Sequence, residues 1–386
     1  MRPKRYTLEM RSGVFRDRSL GMGGSIGQAP HDGKRQLKAR MRKRIFFICG
    51  SMNQTTQMHQ ISEHLPENEH SFSPFYCDGP VEILRRLGLI EFTIAGNKLA
   101  GRCRRYLQNH GLSIDYQGKN RPYDLVVTCS DLFLPKNIRD NRIVLVQEGI
   151  TDQAPIFFYL VKRLGFLPLW LAGTSTTGLS DAFRAFCVAS EGYRDFFIRK
   201  GVRPEKIVVT GIPNFDDCRR YCSNDFPYRH YVLACTSPLR EILRLEDRRA
   251  FIRRAVEIAG RRRLIFKLHP NENVERATRE IRRHAPGAMV FTTGSAEEMI
   301  ANCDVLITRF SSTAFVGLAL GKETYSDFDM DELRRLMPVQ NGSAAFNIAN
   351  VCRRLLEVAP LERPVALGAV PGDGSNCQFR PRGSVI

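Results

Sequence analysis

The chain lacks what a membrane-spanning, zinc-binding or disulfide-clasped protein needs. No uninterrupted apolar run reaches the roughly 20 residues that cross a bilayer. The nearest, residues 154–173, carries Lys162 and Arg163 in its middle. It reads as an amphipathic helix packed on a sheet, or as an interfacial surface offering Phe157, Phe158, Phe166 and the single tryptophan, Trp170. No CxxC pair occurs, and Cys218 with Cys222 has no second ligand pair at useful spacing, which argues against a structural zinc site. The 11 cysteines lie mostly inside apolar runs such as "FFIC", "LVVTC" and "VLAC". They read as buried thiols of a reducing compartment, the cytoplasm, with the inner face of the membrane as a candidate contact. There is neither a GK[ST] phosphate loop nor a GxGxxG turn, and no RNP, zinc-finger or helix-turn-helix pattern that would mark a specific nucleic-acid binder.

What is abundant is positive charge. The 386 residues have a formal net charge of +18. Residues 1–44 hold 13 Lys and Arg against 3 Asp and Glu, more than half of that excess, with little apolar content. Residues 1–43 therefore read as a disordered basic extension, or as sequence upstream of an alternative start at Met41. No apolar stretch follows the charges, so they do not form a signal peptide. The remainder is mildly basic and suits an anionic partner.

From Arg44 short apolar runs alternate with helical stretches, the pattern of parallel sheets wrapped by helices. "RIFFICG", "YDLVVTC", "NRIVLVQEG", "AFCV" and "EKIVVTG" form one set of strands, and "YVLACTS", "RLIFKLHP", "AMVFTT" and "DVLITRF" a second. The expected fold class is α/β: two Rossmann-like, doubly wound domains facing a central cleft. Residues 44–222 would form the N-terminal, acceptor-side domain and residues 223–358 the C-terminal, donor-side domain. Residues 359–386, rich in Pro and Gly, would form a disordered tail.

Open sheets bind ligands beyond the carboxyl ends of their strands, so candidate residues are those just past each strand. In "QEG", Glu148 ends an apolar run with Gly149 next. It is a candidate general base, the alternative being a cap on the following helix. Gln147, Gly149, Gly50 and Ser51 join it on the acceptor side. In "FKLHPN", Lys267, His269 and Pro270 stand at a strand exit, where proline fixes φ and holds the imidazole out of any helix. His269 is a candidate phosphate ligand or acid. "ACTSPLRE" adds Thr236, Ser237 and Arg240; "RFSSTAF" adds Arg309, Ser311, Ser312 and Thr313 at a helix start suited to an anion, or simply to an N-cap.

Together "QEG", "KLHPN", "TGIP" and "RFSSTA" resemble the GT-B superfamily of nucleotide-sugar enzymes. The Glu-Gly, His-Pro and Ser-Ser elements are similar to bacterial transferases using CMP-activated sugars and to CDP-glycerol glycerophosphotransferases. "TGIPN" and "LHPN" are also similar to stretches of UDP-N-acetylglucosamine 2-epimerases. Two positions depart from these patterns: Gln147 stands where the transferases carry an acidic residue, and Val146 and Gln147 stand where the epimerases carry a histidine. The resemblance spans roughly residues 44–357. It implies a glycosyltransferase making bacterial surface or lipid-linked glycan, with Glu148 as base and His269, Ser311 and Ser312 holding the donor phosphate. The partners implied are a nucleotide-sugar donor and a glycan or lipid-linked acceptor. With Lys267, His269 and Arg309 able to supply positive field, neither a metal nor a separate cofactor is expected.

Overall fold

The computed structural model describes residues 42–74, 96–120, 122–131, 134–150, 180–242 and 245–358, with a few isolated positions between them. The basic extension up to Met41, the apolar stretch 154–173 and the tail after 358 lie outside the described residues.

Six strands form the first sheet: β1 (Arg44–Cys49), β2 (Glu69–Pro74), β3 (Leu125–Thr128), β4 (Ile143–Val146), β5 (Ala185–Val188) and β6 (Ile207–Val209), in the order β2-β1-β3-β4-β5-β6. Every pairing is parallel. Central parallel strands are covered on both faces and so read as unbroken apolar runs, as "IVLV" and "AFCV" do. Five further strands, β7 (Val232–Cys235), β8 (Leu264–Lys267), β9 (Met289–Phe291), β10 (Val305–Ile307) and β11 (Glu323–Tyr325), form a second all-parallel sheet ordered β11-β10-β7-β8-β9. The α/β, two-sheet architecture is that implied by the sequence. β2 and β11 were not among the strands read from it. "EHSFSP" and "ETY" are too short and polar to show an apolar run, and each is an edge strand.

Helices open on the capping residues the sequence supplies. Helix α1 (Met52–Glu63) is capped by Ser51, whose hydroxyl accepts from Gln54 N. Helix α2 (Asn97–Asn109) follows β2 and buries Cys103 and Leu107. Helix α3 (Glu191–Lys200) is capped by Ser190 and closed by Gly201 at φ 99°. In the second half come α4 (Arg248–Ala259), α5 (Val274–His284), α6 (Ala296–Asn302), α7 (Thr313–Ala319), α8 (Met330–Arg335) and α9 (Ala344–Glu357).

One apolar core joins the two sheets: Phe46, Leu145 and Phe186 from the first, Leu233, Ile265 and Leu306 from the second. Tyr193 and Phe215 each meet the ring of Phe315, with centroids 6.4 and 6.3 Å apart. Helix α9 follows the second sheet in sequence yet packs on the first, its Ile348, Ala349 and Cys352 buried with Ile45, Phe47 and Met58. The "TGIPNFDD" loop secures this return. Asp216 Oδ2 accepts from Ala344 N at 2.7 Å, and Gly211, at φ 86°, lets Ala344 approach where a Cβ would lie 2.9 Å from its own.

Candidate active site

Strand order reverses direction between β1 and β3 in the first sheet and between β7 and β10 in the second. At such switch points neighbouring loops diverge and leave a crevice at the carboxyl ends of the strands. The loops there carry Gly50 and Ser51 after β1, Thr236 and Ser237 after β7, and Arg309 to Ser312 after β10. Glu148 and His269 leave the adjacent strands β4 and β8.

Glu148 is held from both sides. Ser51 Oγ donates to its Oε1 and Gln54 Nε2 to its Oε2 at 2.6 Å, while Gln57 Nε2 donates to its backbone carbonyl at 3.1 Å. Ser51, Gln54 and Gln57 of one helix thus orient a half-buried carboxylate and the turn that carries it.

On the opposite wall, the turn after β8 is organised by Glu272, which sequence reading passed over. Its buried carboxylate accepts from His269 N at 2.9 Å, from the Thr236 hydroxyl and from the Arg248 guanidinium. His269 Nδ1 accepts from Asn271 N at 3.1 Å, so the ring proton resides on Nε2. Burial, followed by the nearby charges of Lys267 and Arg102, pushes the imidazole pKa down to about 4. At neutral pH His269 is therefore an uncharged hydrogen-bond donor. That geometry suits donation to a phosphate oxygen, one of the two roles expected of this residue. Lys267 is itself buried, donates to Leu268 O at 3.0 Å and has its pKa lowered by desolvation. It contributes field from behind the strand end.

The two walls touch. Ile150 N donates to Ser312 Oγ at 3.2 Å, and a Cβ on Gly149 would lie 2.6 Å from that same oxygen. From α2, Arg102 reaches Asn271 Oδ1 at 3.0 Å and Pro270 O at 3.4 Å. The turns bearing Glu148 and Ser312 are thus in direct contact, and the first-sheet side also grips the His269 turn.

Several candidate residues serve other ends. Gln147 is fully buried, donating to Gly149 O at 2.8 Å and accepting from Ala189 N at 3.0 Å, so it shapes the turn and cannot meet an acceptor. Gly50 is buried and its carbonyl accepts from the Cys103 thiol. Arg240 is taken up in a two-pronged pair with Glu280 at 2.8 and 2.7 Å. Arg309 Nε binds Asp327 at 2.7 Å, with Glu246 3.5 Å from Nη1. Thr236 is committed to Glu272, and Ser237 is 3% exposed. The paired serines do not converge on one point as expected: Ser311 Oγ accepts from Thr313 Oγ1 at 2.9 Å, whereas Ser312 turns to Ile150 without capping α7. Asp327 and Asp329 have DxD spacing, but the first pairs with Arg309 and the second caps α8. A signal for Glu272 existed in "HPNEN": an acidic residue three positions after the histidine, in a turn whose first backbone N–H needs an acceptor.

No protein-family model matches this chain, and no curated protein matches it. Solved structures do. A Methanocaldococcus jannaschii UDP-GlcNAc 2-epimerase in complex with UDP-GlcNAc and UDP superimposes with a TM-score of 0.46 and 12% identity, covering 81% of this chain and 93% of that one. Another UDP-N-acetylglucosamine 2-epimerase matches with a TM-score of 0.45 and 12% identity over 82% and 88% of the two chains. The wall teichoic acid polymerase TagF matches with a TM-score of 0.45 and 11% identity over 81% and 88%. At such identities and scores these likenesses bear on neither substrate nor mechanism.

Proposed function

We propose that the protein is a GT-B-type glycosyltransferase, moving a sugar or polyol phosphate from a nucleotide-activated donor to a glycan or lipid-linked acceptor. The observation that carries this is the meeting of the Glu148 turn with Ser312 through the 3.2 Å bond from Ile150 N. It brings the turn bearing the Glu148 carboxylate against the Ser312 hydroxyl.

In this reading Glu148, oriented by Ser51 and Gln54, accepts the proton of the acceptor hydroxyl as that oxygen attacks the donor. His269 Nε2–H and the hydroxyl of Ser311, whose own proton is not used in the bond it accepts from Thr313, bind the departing phosphate. With a sugar donor a single in-line displacement, the new C–O bond forming as the bond to the departing phosphate breaks, inverts the attacked carbon; with a polyol phosphate the same attack falls on phosphorus and releases the nucleoside monophosphate. Because the donors are in place before reaction, they stabilise developing charge without reorganising. Positive field comes from the buried Lys267 and from Arg102, so the chemistry needs no metal.

Nucleotide release from UDP-, CMP- and CDP-activated donors, measured with and without a glycan acceptor, tests the reading. Transfer should require acceptor. Isomerisation of the donor sugar in its absence would replace the proposal by a 2-epimerase.

A further inference from the structure

Among the described residues a cavity opens at the edge of the first sheet. It has a volume of about 290 Å³ and lies at the carboxyl end of β2, between that strand, α2 and the turn at residues 116–118. Its walls include Ser73, Arg85, Gly101, Arg104, Tyr116 and Gln117. Four features of these walls bear on what the cavity can hold. Tyr116 is 53% exposed, so its ring contributes little to the core. Gln117 adopts φ 64°, with its N–H donating to Ser73 Oγ at 3.2 Å and its carbonyl accepting from Asn137 Nδ2 at 2.7 Å, so the turn that lines the cavity is held in place. Gly101 sits inside α2, where glycine disfavours helix, yet a Cβ there would meet nothing within 4 Å. Close packing therefore does not require it; its effect is to bare the helix backbone to the cavity. Arg104 is exposed and has no acidic partner among the described residues.

The cavity is linked to the candidate active site through α2. Its Arg102 holds Pro270 and Asn271 beside His269, and its Cys103 thiol donates to Gly50 O next to Ser51. An adjoining groove shares Gly101 and Arg104 and is lined by Arg102 and Arg105 as well.

Resting on the transferase reading above, we infer that this cavity is the acceptor subsite, and that it takes a saccharide bearing a phosphate group. Tyr116 offers an aromatic face to the sugar ring, while Arg104 and its neighbours on α2 meet the anion. About 290 Å³ is near the lower end of ligand-pocket volumes, roughly 300–1,000 Å³, which suits one sugar unit better than a nucleotide.

Binding of N-acetylglucosamine 1-phosphate to the full chain, with CMP or UDP saturating the donor wall, tests this independently of turnover. The expected result is saturable binding, weakened at least tenfold in Arg104→Glu and Tyr116→Ala, and absent with N-acetylglucosamine. Gly101→Leu should fill the cavity, abolish sugar-phosphate binding and leave the melting temperature equal or higher, since the new side chain enters open space. Sugar phosphate binding unchanged in Gly101→Leu overturns the inference, as does no binding to the wild type. Co-sedimentation with phosphatidylglycerol vesicles, lost in Arg104→Glu but without sugar phosphate binding, would overturn it in favour of a lipid surface. If nucleotides themselves failed to stabilise the protein, the transferase reading would fall, which the same thermal scans reveal separately.

Discussion

Replacing Gly149 by alanine probes the contact on which the two-walled site depends. The new Cβ would stand 2.6 Å from Ser312 Oγ, while its next neighbours, Ser312 Cβ at 3.5 Å and Phe215 Cε2 at 3.8 Å, are at ordinary contact. Only the hydroxyl is in the way. Relief comes in one of two forms. Ser312 can rotate, losing the bond from Ile150 N and about 0.5–1.5 kcal/mol with it. Otherwise the turns separate by about 1 Å, a displacement that near a reacting centre costs roughly 100-fold in rate. Gly149→Ala should therefore lower stability by about 1 kcal/mol in urea unfolding and kcat/KM by about 10- to 100-fold. Ser312→Gly removes the obstacle. In that background the alanine should cost nothing or stabilise slightly, since Gly149 lies outside the positive-φ set and alanine restricts the unfolded chain. The double-mutant cycle should return a coupling on the order of 1 kcal/mol. Additive effects, or a fully active and equally stable Gly149→Ala protein, would show that the turns do not meet.

Glu148→Gln keeps the hydrogen-bonding shape but removes the base. It should reduce turnover by roughly 10²- to 10⁴-fold with nucleotide affinity unchanged in thermal shift, and an unaffected rate would remove Glu148 from the mechanism. His269 has its pKa pushed down to about 4, against 6.5 for the ordinary imidazole. As pH falls, the unfolded chain takes up this proton first, so stability is intact above about 6.5 and is lost progressively toward 4. An imidazole titrating near 6.5 in histidine NMR spectra would contradict this. Glu272→Ala takes one of two carboxylate partners from the buried Arg248, which keeps Glu246 at 3.1 Å, and frees the His269 turn; it should cost about 1–3 kcal/mol in chemical unfolding, with Glu272→Gln recovering part of the loss. Equal stability of the alanine variant would show that the Arg248–Glu272 pair does not organise the turn.

The strands, their parallel sense and most helices were legible because they depend on local pattern: apolar runs, capping residues, and glycines at helix ends. Glu148, His269 and Ser312 were legible because each follows a strand, where parallel sheets leave backbone and side chains open to a ligand. Distance in sequence hid the rest. Gln147 resembles an acidic-pair position in the linear text, yet it is buried because its amide completes hydrogen bonds between two loops. Arg240 and Arg309 look like phosphate ligands until Glu280 and Asp327, 40 and 18 residues away, neutralise them.

Side-chain periodicity and turn chemistry by themselves fixed which residues lie at strand exits, since those effects act within a few positions. Which exits face one another, which charges are already paired, and that α9 returns to the first sheet were decided only by tertiary packing. Contacts between residues 162 positions apart, such as Ile150 with Ser312, depend on two sheets closing on a shared core, and no local propensity encodes that distance.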